Sequence, residues 1–324
     1  LIYAKNNELV DGLIAQLKVL RALQGPNGEI PSNFSIEKGE ISSCSFGSLT
    51  PKFDGICWYI IAICELVKTK RLKFEEWKTS IENGFSCLET LEYNKKGLIY
   101  TPIGSDWADE YILSGYVLHV QVLRIWALKM VNQIDANPYY SHKIELIQTR
   151  LTNEYFNCTS KSNSMGYLRA SISPAENFEI FDFASNVIYA FAFSDNKLSN
   201  NILNFLNDNY LSNKQLPPAF TPTILPDEKY WNQLKQFELF GFKNEPGHYH
   251  NGGIWWVWLG WYANSLNKNN RLHELNTLKN IVSQKLTFLG EFRFCEYITP
   301  NNAEGGQEQM AFSAAGIKMI IDNN

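Results

Sequence analysis

Eleven stretches of the chain carry apolar residues at intervals of three and four, and the connections between them are alternately short and long. The run ELVDGLIAQLKVLRALQ (8–24) has this spacing and stops at Gly25-Pro26, where a helix has to end. The run DGICWYIIAICELVKTK (54–70) is apolar nearly all round, the mark of a buried helix. FEEWKTSIENGFSCLETLEY (74–93) is amphipathic. Further helices are expected at about 111–132, 139–156, 183–194, 198–209, 228–237, 253–267, 270–288 and 308–322. Few runs read as β-hairpins.

Among the connections, KTKRLK and SDNKLSN are short and polar. Those at 25–53, 94–110, 157–181, 210–227, 238–252 and 289–307 are long and rich in Gly, Pro and aromatics. Loops of that length are uncommon inside a domain unless they carry function. A ring of helical hairpins with a site on one rim has this layout. The expected fold is therefore an all-α toroid of about eleven or twelve helices. No linker or shift of composition divides the chain, so a single domain over 1–324 is expected. An α-solenoid would show a repeat of about 34–47 residues. The sequence contains none.

Composition closes off several classes of function. A net charge of −4 with 45% hydrophobic residues is globular and suits neither nucleic acid nor an anionic membrane as main partner. No apolar run approaches the roughly 18 residues of a membrane helix. The chain starts at Leu1 without an initiator Met, leaving room for a further helix ahead of it, and its first residues lack a signal-peptide layout. The six cysteines (Cys44, Cys57, Cys64, Cys87, Cys158, Cys295) form no CxxC pair and no metal-ligand spacing. A reduced cytoplasm is the expected setting, with no metal and no cofactor. Sequons at Asn33 and Asn157 occur in a chain rich in Asn and carry little weight.

Each long loop mixes aromatics with carboxylates or amides: GPNGEIPSN, SLTPKFDGICW, GLIYTPIGSDWADEY, PAENFEIFDFASN, GHYHNGGIWW and FCEYITPNNAEGGQEQ. Carbohydrate sites use this mixture, because sugars offer hydroxyls to polar side chains and C–H faces to rings. The segment GSDWADEYILSGYVLHVQVLRIWAL resembles the Trp-x-Asp segment and following helix of six-hairpin glycosidases, the alkaline/neutral invertases and amylo-α-1,6-glucosidases among them. GHYHNGGIWWVWLGWYANSLNKNNR resembles the invertases' Tyr-His-(Asn/Thr)-Gly-Gly-x-Trp segment. FCEYITPNNAEGGQEQMAFSAAGIKMI resembles their late Glu-Tyr loop, and FDGICWYIIAICEL their early Asp-x-x-x-Trp helix. The matches keep the family order from about residue 25 to 320. The resemblance implies an (α/α)6 toroid, no cofactor, and a small carbohydrate as the partner molecule.

Glycoside hydrolysis needs a protonated carboxylic acid at the leaving oxygen and a carboxylate acting on water. The resemblance makes Asp109, after Trp107, the acid, and Glu296 the base, with Glu304 and Glu308 as alternatives; Glu308 could instead serve the start of the last helix. A neighbouring indole in a partly dry cleft raises a carboxyl pKa. Asp106 is the rival acid, or else a helix N-cap. The resembled families invert, which calls for carboxyl groups about 6.5–9.5 Å apart. Asp54 and Trp58, one helical turn apart, would face the site together; core packing is the other reading of Trp58. Gln121 is a sugar amide or a helix-surface residue. Asp182 and Asn186 are hydroxyl binders, with an N-cap as the alternative for Asp182. His248, Tyr249, His250 and Asn251 would reach sugar hydroxyls while Trp255 walls the subsite; Trp258 and Trp261 are packing. Gln307 and Gln309 are further sugar amides.

The chain departs from the invertases in two places near the sugar. His119 stands where their helix has a glutamate, and Glu110 where they have a basic residue after the acid. Sucrose specificity is thereby in doubt. Three other functions compete. A sugar epimerase or isomerase of the same toroid would use His248, His250 and His119 to move protons. A carbohydrate-binding toroid would bind without turnover. A metal hydrolase would need a third ligand beside His248 and His250.

Overall fold

The computed structural model describes residues 6–47, 50–93, 96–156, 166–194, 196–237 and 241–323; Asn157 and Cys158 lie outside them. Two compact units emerge. The first holds residues 1–109, 113–151 and 172–174, and the second holds 110–112, 152–171 and 175–324.

The first unit contains α1 (Asn7–Ala22), β1 (Asn33–Glu37), β2 (Glu40–Ser45), α2 (Asp54–Lys68), α3 (Lys78–Glu89), β3 (Tyr116–Val117), α4 (Leu118–Ile134) and α5 (Pro138–Arg150). As its composition predicts, α2 is buried on nearly every side, and it packs on α4, which is equally enclosed. Burying so much of α4 includes Arg124, whose guanidinium bonds the Gly97 carbonyl at 2.7 Å and Glu92 at 2.8 Å. Lys143 of α5 bonds the same carboxylate at 2.8 Å. These partners neutralise a charge that could not otherwise be buried. Asn137 caps α5 by accepting from the Tyr139 N–H, and Pro138 starts the helix with φ already set.

The second unit contains most of β4 (Arg169–Ile172), β5 (Asn177–Asp182), α6 (Phe183–Ala192), α7 (Lys197–Asn209), β6 (Phe220–Thr221), α8 (Trp231–Lys235), β7 (Ile254–Trp255), α9 (Trp256–Lys268), α10 (Leu272–Leu289), β8 (Tyr297–Ile298), β9 (Glu304–Gly305) and α11 (Ala311–Asp322). Its centre is α9 between α6 and α11. A Cβ on Gly316 would sit 2.2 Å from the Trp256 carbonyl oxygen, so α9 and α11 meet backbone to backbone. No helix among the described residues is long and apolar enough to cross a membrane.

The eleven α-helices among the described residues fall on the predicted runs, several with changed bounds. The helix expected from 111 begins at Leu118, because Gly115 has φ +89° and exchanges two backbone hydrogen bonds with Thr101 (2.7 and 2.9 Å), which keeps that stretch extended. The run 228–237 shortens to α8. The long connections are not structureless. Residues 33–45 fold into a hairpin whose turn, Lys38-Gly39, has both residues at positive φ, the two-residue turn that suits strand twist. β5 pairs with β6, and β7, β8 and β9 form a three-stranded sheet.

Candidate functional site

In the first unit a cavity of about 460 Å³ collects Asp54, Trp58, Asp106, Trp107 and Asp109. Asp54 and Trp58 reach it together because they lie one turn apart on α2. The loop 104–109 is stapled to the strand of chain leading into α2. Gly104, at φ +76°, turns the loop so tightly that a Cβ there would lie 2.7 Å from the Asp109 carbonyl. Its own carbonyl accepts from Thr50 Oγ1 (2.9 Å) and Lys52 Nζ (2.8 Å). Lys52 Nζ also donates to the Asp106 carbonyl (2.7 Å), and the Phe53 N–H to that of Ser105 (3.0 Å).

The carboxylates differ in environment. Asp109 is 39% exposed at its side chain, 3.7 Å from Lys52 Nζ. Asp106 is buried, and Oδ1 accepts from the Ala108 N–H (3.0 Å) while Oδ2 has no hydrogen-bond partner among the described residues. No helix begins there, so the N-cap reading of Asp106 gives way to a local turn. Burial lifts Asp106 to about 6, opposed chiefly by the Lys52 charge. Burial, followed by the Asp106 charge, lifts Asp54 to about 7. His119 stands behind Asp54, Nε2 to Oδ2 4.0 Å, and burial drives it down to about 3, so it stays neutral. Burial at this cavity thus raises Asp54 and Asp106 above the ordinary carboxylate range.

The second unit has its own cavity of about 290 Å³, lined by Phe242, Lys243, Glu245, His248, Tyr249, Tyr297 and Gly306. His248 is exposed there, edge-on to Tyr297 at 6.4 Å, and Tyr249 is held at φ +43°. The Glu296 carboxylate lies over Gly306, where a Cβ would come within 2.2 Å of Oε2. That carboxylate is therefore admitted by a glycine.

Other expected sugar contacts are engaged elsewhere. Gln121 is neither a surface residue nor free for sugar: it is buried, accepts from the Ile99 N–H (3.0 Å) and donates to the carbonyls of Ile99 (2.8 Å) and Val117 (3.3 Å). Asp182 caps α6, accepting from the Ser185 N–H (3.1 Å) and hydroxyl. Asn186 accepts from the Leu168 N–H (2.9 Å) and donates to the carbonyls of Leu168 (3.0 Å) and Asp182 (2.8 Å). Asn251 bonds both polar groups of the Ile224 backbone (2.8 and 2.9 Å) and the Asn244 carbonyl (3.0 Å). His250 is fully enclosed between Tyr249 (ring centroids 4.0 Å) and Trp255 (5.4 Å). Trp255 donates to the Tyr249 carbonyl (3.1 Å) and stacks on Tyr297 and Phe312, backing the cavity without lining it. Glu304 pairs with Arg293 (3.0 Å), as does exposed Glu308 (2.5 Å), which does not serve α11. Gln307 and Gln309 are exposed, and Trp258 is buried as packing.

Sequence reasoning missed three residues. Lys52 has a legible signal, being the cation two places before Asp54. Asn244 has none: its Oδ1 accepts from the His250 and Asn251 N–H groups (3.1 and 3.2 Å) and its Nδ2 donates to the Glu110 carbonyl (2.6 Å). Lys243, on another loop, pairs with Glu110 at 2.5 Å.

No protein-family model and no curated protein matches the chain. Solved structures do. A GH63 mannosylglycerate hydrolase from Thermus thermophilus, seen with glucose, is 12% identical with TM-score 0.65, over 94% of this chain and 86% of that one. A family 8 endoglucanase from Klebsiella pneumoniae is 12% identical with TM-score 0.57, over 96% and 90%. A D-mannose isomerase is 11% identical with TM-score 0.57, over 98% and 82%. At such identities the likeness shows the fold alone: the all-α class expected from the sequence, the (α/α)6 toroid, is the class these structures share.

Proposed function

We propose that the chain is an inverting glycoside hydrolase acting on a small α-glucoside or sucrose-like oligosaccharide, with Asp109 as general acid and Glu296 as general base. One observation carries the reading: the cavity in which Asp54, Asp106 and Asp109 stand beside the indoles of Trp58 and Trp107. An acid catalyst must hold its proton near the working pH, and burial around this cavity favours neutral carboxyls. Asp109 has the exposure a substrate needs, while Asp106 has the stronger desolvation; the two are separate candidates for the acid. Asp54, Trp58 and Trp107, which line that cavity, would bind the sugar. The chain 1–324 would then act as one catalytic domain in the cytoplasm.

The isomerase reading is less well supported. His119 is buried and held neutral, and His250 is enclosed by two rings, which leaves only His248 exposed of the three. A reducing-sugar assay over sucrose, trehalose, maltose, isomaltose and glucosylglycerate is expected to show cleavage of at least one. NMR of the first product should then show the anomer opposite to that of the substrate. Deuterium exchange into a free sugar, with no glycoside cleaved, would sink the hydrolase in favour of the isomerase.

A further inference from the structure

Lys52 is the one cation among the described residues that line the carboxylate cavity. Its side chain is 15% exposed, and its ammonium has three N–H donors. Two are spent on the carbonyls of Gly104 (2.8 Å) and Asp106 (2.7 Å). Asp109 Oδ2 stands 3.7 Å away. An ammonium that bonds two carbonyls of one loop acts on backbone geometry, whereas its charge acts on every carboxylate within reach. We propose that Lys52 is a positioning residue of this site: its ammonium holds the loop 104–109 in place and serves as shared counter-ion for Asp54, Asp106 and Asp109.

Three features support the assignment. The loop has no helix or sheet of its own, so its shape depends on the bonds from Thr50, Lys52 and Phe53. The remaining cavity walls supply no competing charge: α1 contributes Leu13, Leu17 and Leu20, and the Tyr59 hydroxyl is bonded to Ser80 Oγ at 2.8 Å. The histidine nearest Asp54, His119, is neutral. Consistently, the Lys52 charge opposes the upward push of burial at both Asp54 and Asp106. Calling Asp109 the acid rests on the glycosidase reading; the counter-ion role does not.

The test is a carboxyl-carbon NMR titration of Asp54, Asp106 and Asp109, comparing the unaltered protein with Lys52→Met. An opposite charge at this range shifts an aspartate by about 1 unit or more. Removing it should move the Asp54 and Asp106 midpoints upward, with the fold retained by circular dichroism. Lys52→Arg should keep the midpoints near those of the unaltered protein. Should Lys52→Met not fold, Lys52→Gln removes the charge while keeping N–H donors and is expected to give the same upward shift. Unmoved midpoints in a folded charge-free variant would overturn the proposal. Once a substrate is known, the alkaline limb of the pH–rate profile should rise with those midpoints. Absence of any turnover in the unaltered protein would count against the glycosidase reading and leave the titration result standing.

Discussion

The loops 104–109 and 244–253 are made of the same ingredients, carboxylates or amides among aromatic rings and glycines, and each lies on a cavity in its own unit. Their polar groups meet different fates. In 244–253 the side chains of Asn244 and Asn251 are consumed by backbone groups, and His250 is closed in by Tyr249 and Trp255. In 104–109 Asp106 Oδ2 has no hydrogen-bond partner among the described residues, Asp109 is partly exposed beside Lys52, and burial has lifted Asp106 as it has Asp54 on α2. One loop uses its own side-chain amides to hold its shape, and the other is held by bonds from Thr50 and Lys52 outside it.

The largest effect expected is on catalysis. Asp109→Asn should lower turnover of the cleaved glycoside by about 10²- to 10⁴-fold, the usual share of a general acid. Glu296→Gln should do likewise, measured as kcat with the fold checked by circular dichroism. Should Asp109→Asn stay active while Asp106→Asn is dead, the roles of the two carboxyls are exchanged.

The second prediction concerns the cost of a buried carboxyl. Burial raises the Asp54 carboxyl from its ordinary 3.8 to about 7 in the folded protein. The folded state therefore holds the proton more tightly, and Asp54 costs stability as pH rises from about 4 to 7. Below that window both states are protonated and the cost vanishes. Asp54→Asn should stabilise the protein at about pH 8, on the order of 4 kcal/mol, and have little effect at about pH 3.5. Urea unfolding at the two pH values checks this. A destabilised variant at high pH would make Asp54 scaffold after all.

In the other loop the sign reverses. Asn251→Ala strands the Ile224 N–H and carbonyl, and should cost about 3 kcal/mol at neutral pH, seen as a lower urea midpoint. Full stability with a raised KM would instead make Asn251 a ligand residue. The smallest effect falls on Gln307→Ala. This exposed residue should change stability by less than about 0.5 kcal/mol, and an unchanged KM would place it outside the sugar site.

The helices were legible because burial of one face imposes a local period, as in 8–24 and 54–70, and α1 and α2 form there. Asp54 and Trp58 were legible as a pair for the same reason. The hairpin 33–45 escaped because its side chains are mostly exposed and polar, and only Lys38-Gly39 advertised the turn. Gln121, Asn186 and Asn251 were read as sugar amides because amide side chains look alike in sequence whether their partner is a sugar or a backbone.

By itself the sequence determined where helices run, which connections are long, and that carboxylates and indoles come together near Trp107. It did so because period, turn chemistry and composition act over a few residues. Tertiary structure alone decided which polar groups remain for a ligand. The partners of Gln121, Asn186 and Asn251 lie 22, 18 and 27 residues away along the chain, and no local pattern announces them. Hydrogen bonds are satisfied in space, so which carboxyls stay open is known only after the chain has folded around them.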